Sequence, residues 1–259
     1  VSAFLIDSEG KKFYEPIHDC KPIFPGYTGF LNCLEAFGKN SILHIHTLNH
    51  DIFFEQFNSS DWLNGELSDG FVELGSPYFG KLHEKFMVRL PYFVNKYNTK
   101  FRLYKLHGSI DQYPFHIINQ GIDCYIKTKY SIGKTELYKE IKDEKGKLTY
   151  INDWIKYHSD FLCGTTSKIL RYGEHWYYKK VFAHFEKNLR ESEKLIIIGY
   201  GCADTEVNNI IKKHYLKKGE KPIYLVNPNP NEKVNKFCED FGAKLLDNSI
   251  EDLTLENFY

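Results

Sequence analysis

At 259 residues the chain is long enough to bury a sizeable core within one compact domain. Lysine plus arginine and aspartate plus glutamate both number 34, so no global field advertises nucleic acid or an anionic membrane, and no direct nucleic-acid partner is expected. Six cysteines stand at 20, 33, 124, 163, 202 and 238 with no CxxC pair, which argues against a four-cysteine zinc ribbon and predicts free thiols in a reducing cytoplasm.

No apolar run approaches the ~20 residues needed to span a bilayer, and no signal peptide opens the chain, so a soluble cytoplasmic protein with no membrane partner is expected. Val1 stands where a methionine would, and the sequence is expected to begin inside a longer polypeptide. Residues 1 to 27 contain Pro16, Pro22 and Pro25, hold no sustained period, and read as irregular. From Tyr27 the pattern changes. Phe30, Leu31, Leu34 and Phe37 recur at helical spacing, Gly38 is expected to stop that helix, and Ser41 to His46 reads as a strand. The strand delivers Thr47-Leu48-Asn49-His50-Asp51, and Ile52, Phe53 and Phe57 predict another helix. Asn49 can donate and accept, and Asp51 can accept from ribose hydroxyls. Both types also cap helices, so the spacing leaves capping and ligand binding open.

Ser59 to Gly70 is polar and reads as a loop, and Leu82 to Phe93 carries apolar positions compatible with a helix broken by Pro91. Phe101 to Leu106 alternates as a strand and hands the chain to His107-Gly108-Ser109. A histidine at a strand mouth can serve as a base near neutral pH, or can be a structural histidine that only makes hydrogen bonds. Gly108 permits close backbone approach or a positive φ beside it. From Asp111 to about Lys168 the chain is polar, aromatic and lysine-rich, and is taken as an insertion over about 112–168. Within it Lys127 to Lys147 interleaves acids and bases as a solvated face or loop would. Phe161-Leu162-Cys163-Gly164-Thr165-Thr166 fits either a strand and turn or a site lining.

Trp176 to Leu189 carries Val181, Phe182, Phe185 and Leu189 on one helical stripe. Lys194 to Ile198 is an apolar run of the kind buried on both faces, followed by Gly199-Tyr200-Gly201-Cys202-Ala203-Asp204. Asp204 can cap a helix bearing Val207, Ile210 and Ile211, and such a turn aims backbone N–H groups where phosphate or ribose oxygens are favoured. A further unit repeats the layout: strand Pro222 to Val226, turn Asn227-Pro228-Asn229-Pro230, and a helix with Val234, Phe237 and Cys238. Ala243 to Leu246 is a last short strand, followed by Asp247-Asn248. Strand ends at His46, Leu106, Ile198, Val226 and Leu246 all lead into polar or glycine residues. This order predicts an α/β fold with a doubly wound, Rossmann-like, mostly parallel sheet, helices on both faces, and one crevice at the strand ends.

Over residues about 27–250 these segments together resemble the sirtuin-like family, in particular its bacterial branch from antiviral defence systems. Thr47-Leu48-Asn49-His50-Asp51 is similar to the family's TxNxD segment, Lys105-Leu106-His107-Gly108-Ser109 to its KLHGS segment, and Ile198 to Asp204 to its GYSxxD turn with Gly201 in place of serine. Val226-Asn227-Pro228 resembles its closing VNP element. The resemblance implies that Asn49 and Asp51 lie at the nicotinamide-side ribose of NAD and that His107 contacts its hydroxyls or activates the nucleophile. Gly199, Tyr200 and Asn227 would meet the adenosine side, with Thr47, Gly108, Ser109, Gly201 and Asp204 completing the NAD-contacting set. It implies cleavage of the nicotinamide glycosidic bond through an oxocarbenium-like centre, with no metal required.

Two features depart from the family pattern. Its glycine-rich diphosphate loop has no counterpart before residue 27, where Phe24-Pro25-Gly26-Tyr27 is no substitute, so the loop is absent or lies upstream of Val1. The interval that holds a four-cysteine zinc module in protein deacylases contains only Cys124 and Cys163 here, so no zinc is expected. The leading expectation is an NAD hydrolase producing nicotinamide and ADP-ribose, the effector of an anti-phage system that assembles with itself or with other defence subunits. An NAD-dependent protein deacylase and a catalytically inactive nucleotide-binding or assembly module are the alternatives.

Overall fold

The computed structural model describes residues 27–82, 85–128, 132–152, 160–162, 176–216 and 221–259. Residues 1–26, expected to be irregular, and 163–166, expected to turn, lie outside the described residues. In chain order the elements are α1 (Thr28–Asn40), β1 (Leu43–Thr47), α2 (Phe53–Gln56), β2 (Leu67–Ser68), β3 (Gly70–Val72), β4 (Tyr78–Leu82), β5 (Phe86–Arg89), β6 (Tyr92–Lys96) and β7 (Phe101–Lys105). There follow β8 (Gln112–Ile117), β9 (Gly121–Lys127), β10 (Ile132–Lys142), β11 (Leu148–Ile151), α3 (Trp176–Glu191), β12 (Leu195–Ile198), α4 (Thr205–His214), β13 (Ile223–Val226), α5 (Glu232–Phe241) and β14 (Lys244–Leu246).

The fold is mixed α/β. Two three-stranded parallel sheets, ordered β1-β7-β2 and β12-β13-β14, stand beside two four-stranded antiparallel sheets, β3-β6-β9-β8 and β11-β10-β4-β5. Register sets the parallel strand ends level: Thr47 lies opposite Lys105, and Ile198, Val226 and Leu246 lie in one row. Side-chain alternation in the second sheet divides two layers. Ile197, Ile223 and Leu225 join the core formed with α3, α4 and α5, whereas Ile196, Ile198, Tyr224 and Val226 face α1 and the C-terminal Leu253 and Phe258.

Several expectations are corrected. Gly38 does not stop α1 but lies buried inside it, where an added methyl group would come within 2.6 Å of the Phe101 ring; the glycine serves close packing of the helix on β7. The helix expected over Leu82 to Phe93 is instead β5 and β6. Phe86 pairs with Leu82 in a hairpin, and Pro91 sits between strands, where its carbonyl accepts from Lys127 N at 2.9 Å. The region beyond Asp111 is built of regular antiparallel strands whose partners, β4 and β6, precede it in the chain. Lys127, expected on a solvated face or loop, is only 6 % exposed. β12 was expected to be buried on both faces, but only Ile197 is buried; among the described residues neither β12 nor β1 pairs with a strand on its outer edge.

Three histidines gather where α3 crosses β1 and β7. His46 stacks on Tyr104 at 4.5 Å and contacts Asn188 through Nε2 at 3.1 Å, His44 Nδ1 reaches the Tyr104 hydroxyl at 3.3 Å, and the His184 ring lies 5.2 Å from Tyr104. Desolvation, and then neighbouring positive groups, lower His44 to about 4, hold His46 well below its ordinary value, and lower His184 as well. In the unfolded chain these rings bind protons below about 6.5, while the native rings resist protonation. Stability is therefore expected to be full above about pH 7 and to fall as pH drops from about 6.5 towards 4. Urea midpoints across that range check this, and the fall should be shallower in His44→Gln/His46→Gln.

Candidate active site

The turn after β1 is folded by its own polar side chains. Thr47 Oγ1 accepts from Asn49 N at 3.0 Å, and Asp51 Oδ1 accepts from Phe53 N at 2.9 Å at the start of α2. Backbone bonds then stitch this turn to the one after β7: Leu106 N donates to the Thr47 carbonyl at 3.0 Å, and Ile110 N to the His50 carbonyl at 2.9 Å. Ser109 is fully buried and its hydroxyl also reaches the His50 carbonyl, at 3.3 Å, so it clamps the two turns together. The Asn49 residue is exposed.

His107 is 4 % exposed, and its Nε2 lies 3.4 Å from Asp204 Oδ2. The other oxygen of Asp204 accepts from Val207 N at 3.2 Å and caps α4, as expected from sequence. Asp204 thus serves two masters, a helix end and an imidazole, and its contact joins the β7 end to the β12 end. The His107 backbone is pinned from the other side by Leu162 N, which donates to its carbonyl at 2.7 Å, and Gly108 forms a bridge with Phe161. Gly108 has φ +79°, and an added methyl group would stand 2.3 Å from the Asp160 carbonyl oxygen. The approach of 160–162 to His107 therefore requires glycine at 108.

The turn after β12 starts at Gly199, whose N–H donates to the Val226 carbonyl at 3.1 Å and whose φ is +63°. The Tyr200 hydroxyl lies 3.0 Å from the Asp204 carbonyl and 2.9 Å from Asn208 Oδ1, and Asn208 Nδ2 donates to the Cys202 carbonyl at 3.0 Å. The phenol holds the turn down on α4. Outside it, no atom of the described residues beyond the chain neighbours lies within 4 Å of where a side chain would begin at Gly199 or Gly201, which leaves the backbone there open to a ligand. After β13, Asn227 N donates to the Leu246 carbonyl at 2.9 Å, and Asn227 Oδ1 accepts from Asn229 N at 3.0 Å.

Of the residues proposed from sequence, the structure brings His107, Asp204 and the Thr47–Asp51 turn together. It sets the Gly199–Cys202 turn and Asn227 at neighbouring strand ends. Burial, and then the neighbouring Cys238, pushes the Cys202 thiol up to about 12, so it is not a thiolate nucleophile at neutral pH. No cluster of three or more histidine, cysteine or acidic side chains among the described residues is placed to hold a metal ion. Sequence reasoning missed the charges beneath the site. Lys105, 4 % exposed, donates to the Asp51 carbonyl and lies 3.3 Å from Glu55, which is also 2.9 Å from Lys127. The available signal was a lysine set between the apolar Tyr104 and Leu106 at the end of the strand.

The family model described as the SIR2-like domain matches residues 43–246. No curated protein matches the chain.

Replacing Gly108 by alanine combines an unfavourable φ with a backbone clash, and is expected to cost about 1–3 kcal/mol of stability. Chemical denaturation of the variant checks this, whereas Gly201→Ala, with open space around it, should unfold close to wild type.

Proposed function

The chain belongs to the SIR2-like domain family, whose domains use NAD, and we propose that it is an NAD glycohydrolase that releases nicotinamide and ADP-ribose. The observation that carries the proposal is the 3.4 Å approach of His107 Nε2 to Asp204 Oδ2 at the end of β7, between the Asn49–Asp51 turn and the open glycine turn. In the reaction the bond between ribose C1′ and the pyridinium nitrogen breaks, and its electron pair leaves with nicotinamide, which departs neutral. The oxygen of water bonds to C1′, and its proton passes by way of the imidazole to solvent.

A tautomer with its proton on Nε2, facing Asp204, places the ring lone pair on Nδ1, where a ribose hydroxyl or the attacking water is deprotonated. The carboxylate then stabilises the imidazolium that forms, as a carboxylate behind a catalytic histidine does in hydrolases generally. Asn49 and Asp51 address the ribose on the nicotinamide side. On the adenosine side, the exposed Gly199–Gly201 turn lets a ligand come close to the backbone, and Gly201 and the start of α4 offer backbone N–H groups to anionic oxygens, the Gly199 N–H being bound to the Val226 carbonyl. By the resemblance to the defence branch, the proposal extends to an effector that depletes cellular NAD once it has assembled, a role that NAD measurements in phage-infected cells would test.

The deciding experiment incubates the full-length protein with NAD and measures free nicotinamide with and without an acetyl-lysine peptide. Peptide-independent release is expected, falling about 10²–10⁴-fold in His107→Ala and by a smaller factor in Asp204→Asn. Release that depends on the peptide would assign a deacylase instead, and release that survives in His107→Ala would remove the histidine from the mechanism.

A further inference from the structure

Beneath the Asn49–Asp51 turn lies a group of charges that the proposed chemistry does not use. Glu55, on α2, places Oε1 2.9 Å from Lys127 Nζ and 3.3 Å from Lys105 Nζ. The three side chains are 18 %, 8 % and 4 % exposed in that order. Lys127 has two more acidic neighbours, Asp69 at 2.6 Å and Asp111 at 3.6 Å, and lies 5.1 Å from the centre of the Phe71 ring. Among the described residues Lys105 has no carboxylate within ion-pair distance except Glu55, and its ammonium donates to the backbone carbonyl of Asp51.

We propose that Glu55 is a positioning residue of the site: through Lys105 it fixes the Asp51 carbonyl, and with it the turn that carries Asn49 and Asp51. The proposal deepens, and rests on, the assignment of that turn to the ribose of NAD.

The asymmetry between the two lysines is what separates positioning from mere stabilisation. Loss of the Glu55 charge leaves Lys127 held by Asp69 and Asp111, so the junction of β9 with its neighbours keeps its pairing. Lys105 is left as a buried ammonium without its carboxylate, a costly state that it escapes by turning outward or by drawing water in. Either way the bond to Asp51 weakens. Burial alone would push the Glu55 carboxyl up, but the two ammonium groups outweigh it and hold it below its ordinary value, so it is ionised at neutral pH. Buried ion pairs are weak contributors to stability compared with well-packed apolar groups, yet they fix geometry. Here the geometry fixed is that of a turn two strand ends wide: Lys105 lies in register with Thr47 and two residues before His107. A displacement of about 1 Å in such a turn is enough to lower a rate about 10²-fold.

The test uses full-length Glu55→Gln, Lys105→Met and the double variant, with two readouts. In nicotinamide release, each single variant is expected to lower kcat tenfold or more with KM for NAD little changed, and the double variant to be no worse than the poorer single one, because both act on one contact. In amide hydrogen exchange, residues 49–53 should exchange faster in both single variants while β13 and β14 keep wild-type protection. Losses that multiply in the double variant, unchanged exchange at 49–53, or exchange that rises equally throughout the domain would each overturn the proposal. A wild-type protein that releases no nicotinamide would defeat the NAD-cleavage assignment alone, since the exchange measurement still decides whether Glu55 holds the turn. Should Glu55→Gln not fold, Glu55→Asp keeps the charge with a shorter reach, and the same local rise in exchange is expected; its absence there counts against the proposal.

Discussion

The apolar face that α3 turns towards both parallel sheets sets the position of everything at their strand ends. Three short strands bury too little to stand alone, and each sheet needs a partner layer. One helix supplies it to both: Tyr177, Tyr178, Val181, Phe182, Phe185 and Leu189 share a core with Tyr104 and Leu106 of the first sheet and Ile197 and Leu225 of the second. Each large side chain so buried contributes about 1.5–3 kcal/mol. The helix also holds the first sheet through polar contacts. Asn188 meets His46 at 3.1 Å, and the Tyr177 hydroxyl donates to the Lys105 carbonyl at 3.3 Å. With β7 and β12 set against one helix, His107 at the end of one and Asp204 beyond the other fall within 3.4 Å.

Two kinds of electrostatic arrangement meet at that edge. The His107–Asp204 contact is buried and joins an imidazole to the carboxylate that caps α4. Below it, Lys105 and Lys127 meet Glu55, Asp69 and Asp111 in a set of ion pairs of 2.6–3.6 Å. Burial opposes the Lys127 ammonium, but Asp111, Asp69 and Glu55 outweigh that penalty and raise it well above its ordinary range. A group held so firmly cannot act as a proton carrier. The two arrangements differ in kind: the lysines and carboxylates are locked in ion pairs with one another, whereas the His107 imidazole faces Asp204.

The parallel half was legible because each of its signals is local. β7 alternates, β12 and β13 are short apolar runs, α4 and α5 have side-chain caps in Asp204 and Asn231, and these are the elements that deliver His107, the glycine turn and Asn227. The antiparallel half was not legible, since its strands are chosen by partners far away in sequence: β4 pairs with β10 across more than fifty residues, and β6 with β9. Phe86 to Arg89 has no property of its own that excludes a helix. Lys127 was misplaced for a related reason. A lysine reads as solvated until three carboxylates from separate segments are seen to converge on it. The second role of Asp204 was hidden likewise, because its cap is written in the next three residues while its contact with His107 depends on α3.

Several polar side chains singled out by sequence are engaged by the protein itself, and this constrains how a ligand is read. The Ser109 hydroxyl holds the His50 carbonyl, the Tyr200 hydroxyl holds the Asp204 carbonyl and Asn208, and Asn227 folds its own turn. A buried polar group without a partner is costly, so these bonds shape the crevice rather than remain in reserve for a ligand. What is exposed is the backbone at Gly199 and Gly201 and the Asn49 residue, while His107 is buried. Backbone N–H groups recognise oxygen-rich anions with little regard for what is attached to them. The Asn49–Asp51 turn is held from beneath by the buried Lys105, whose ammonium donates to the Asp51 carbonyl, and from within by the Thr47 and Asp51 side chains.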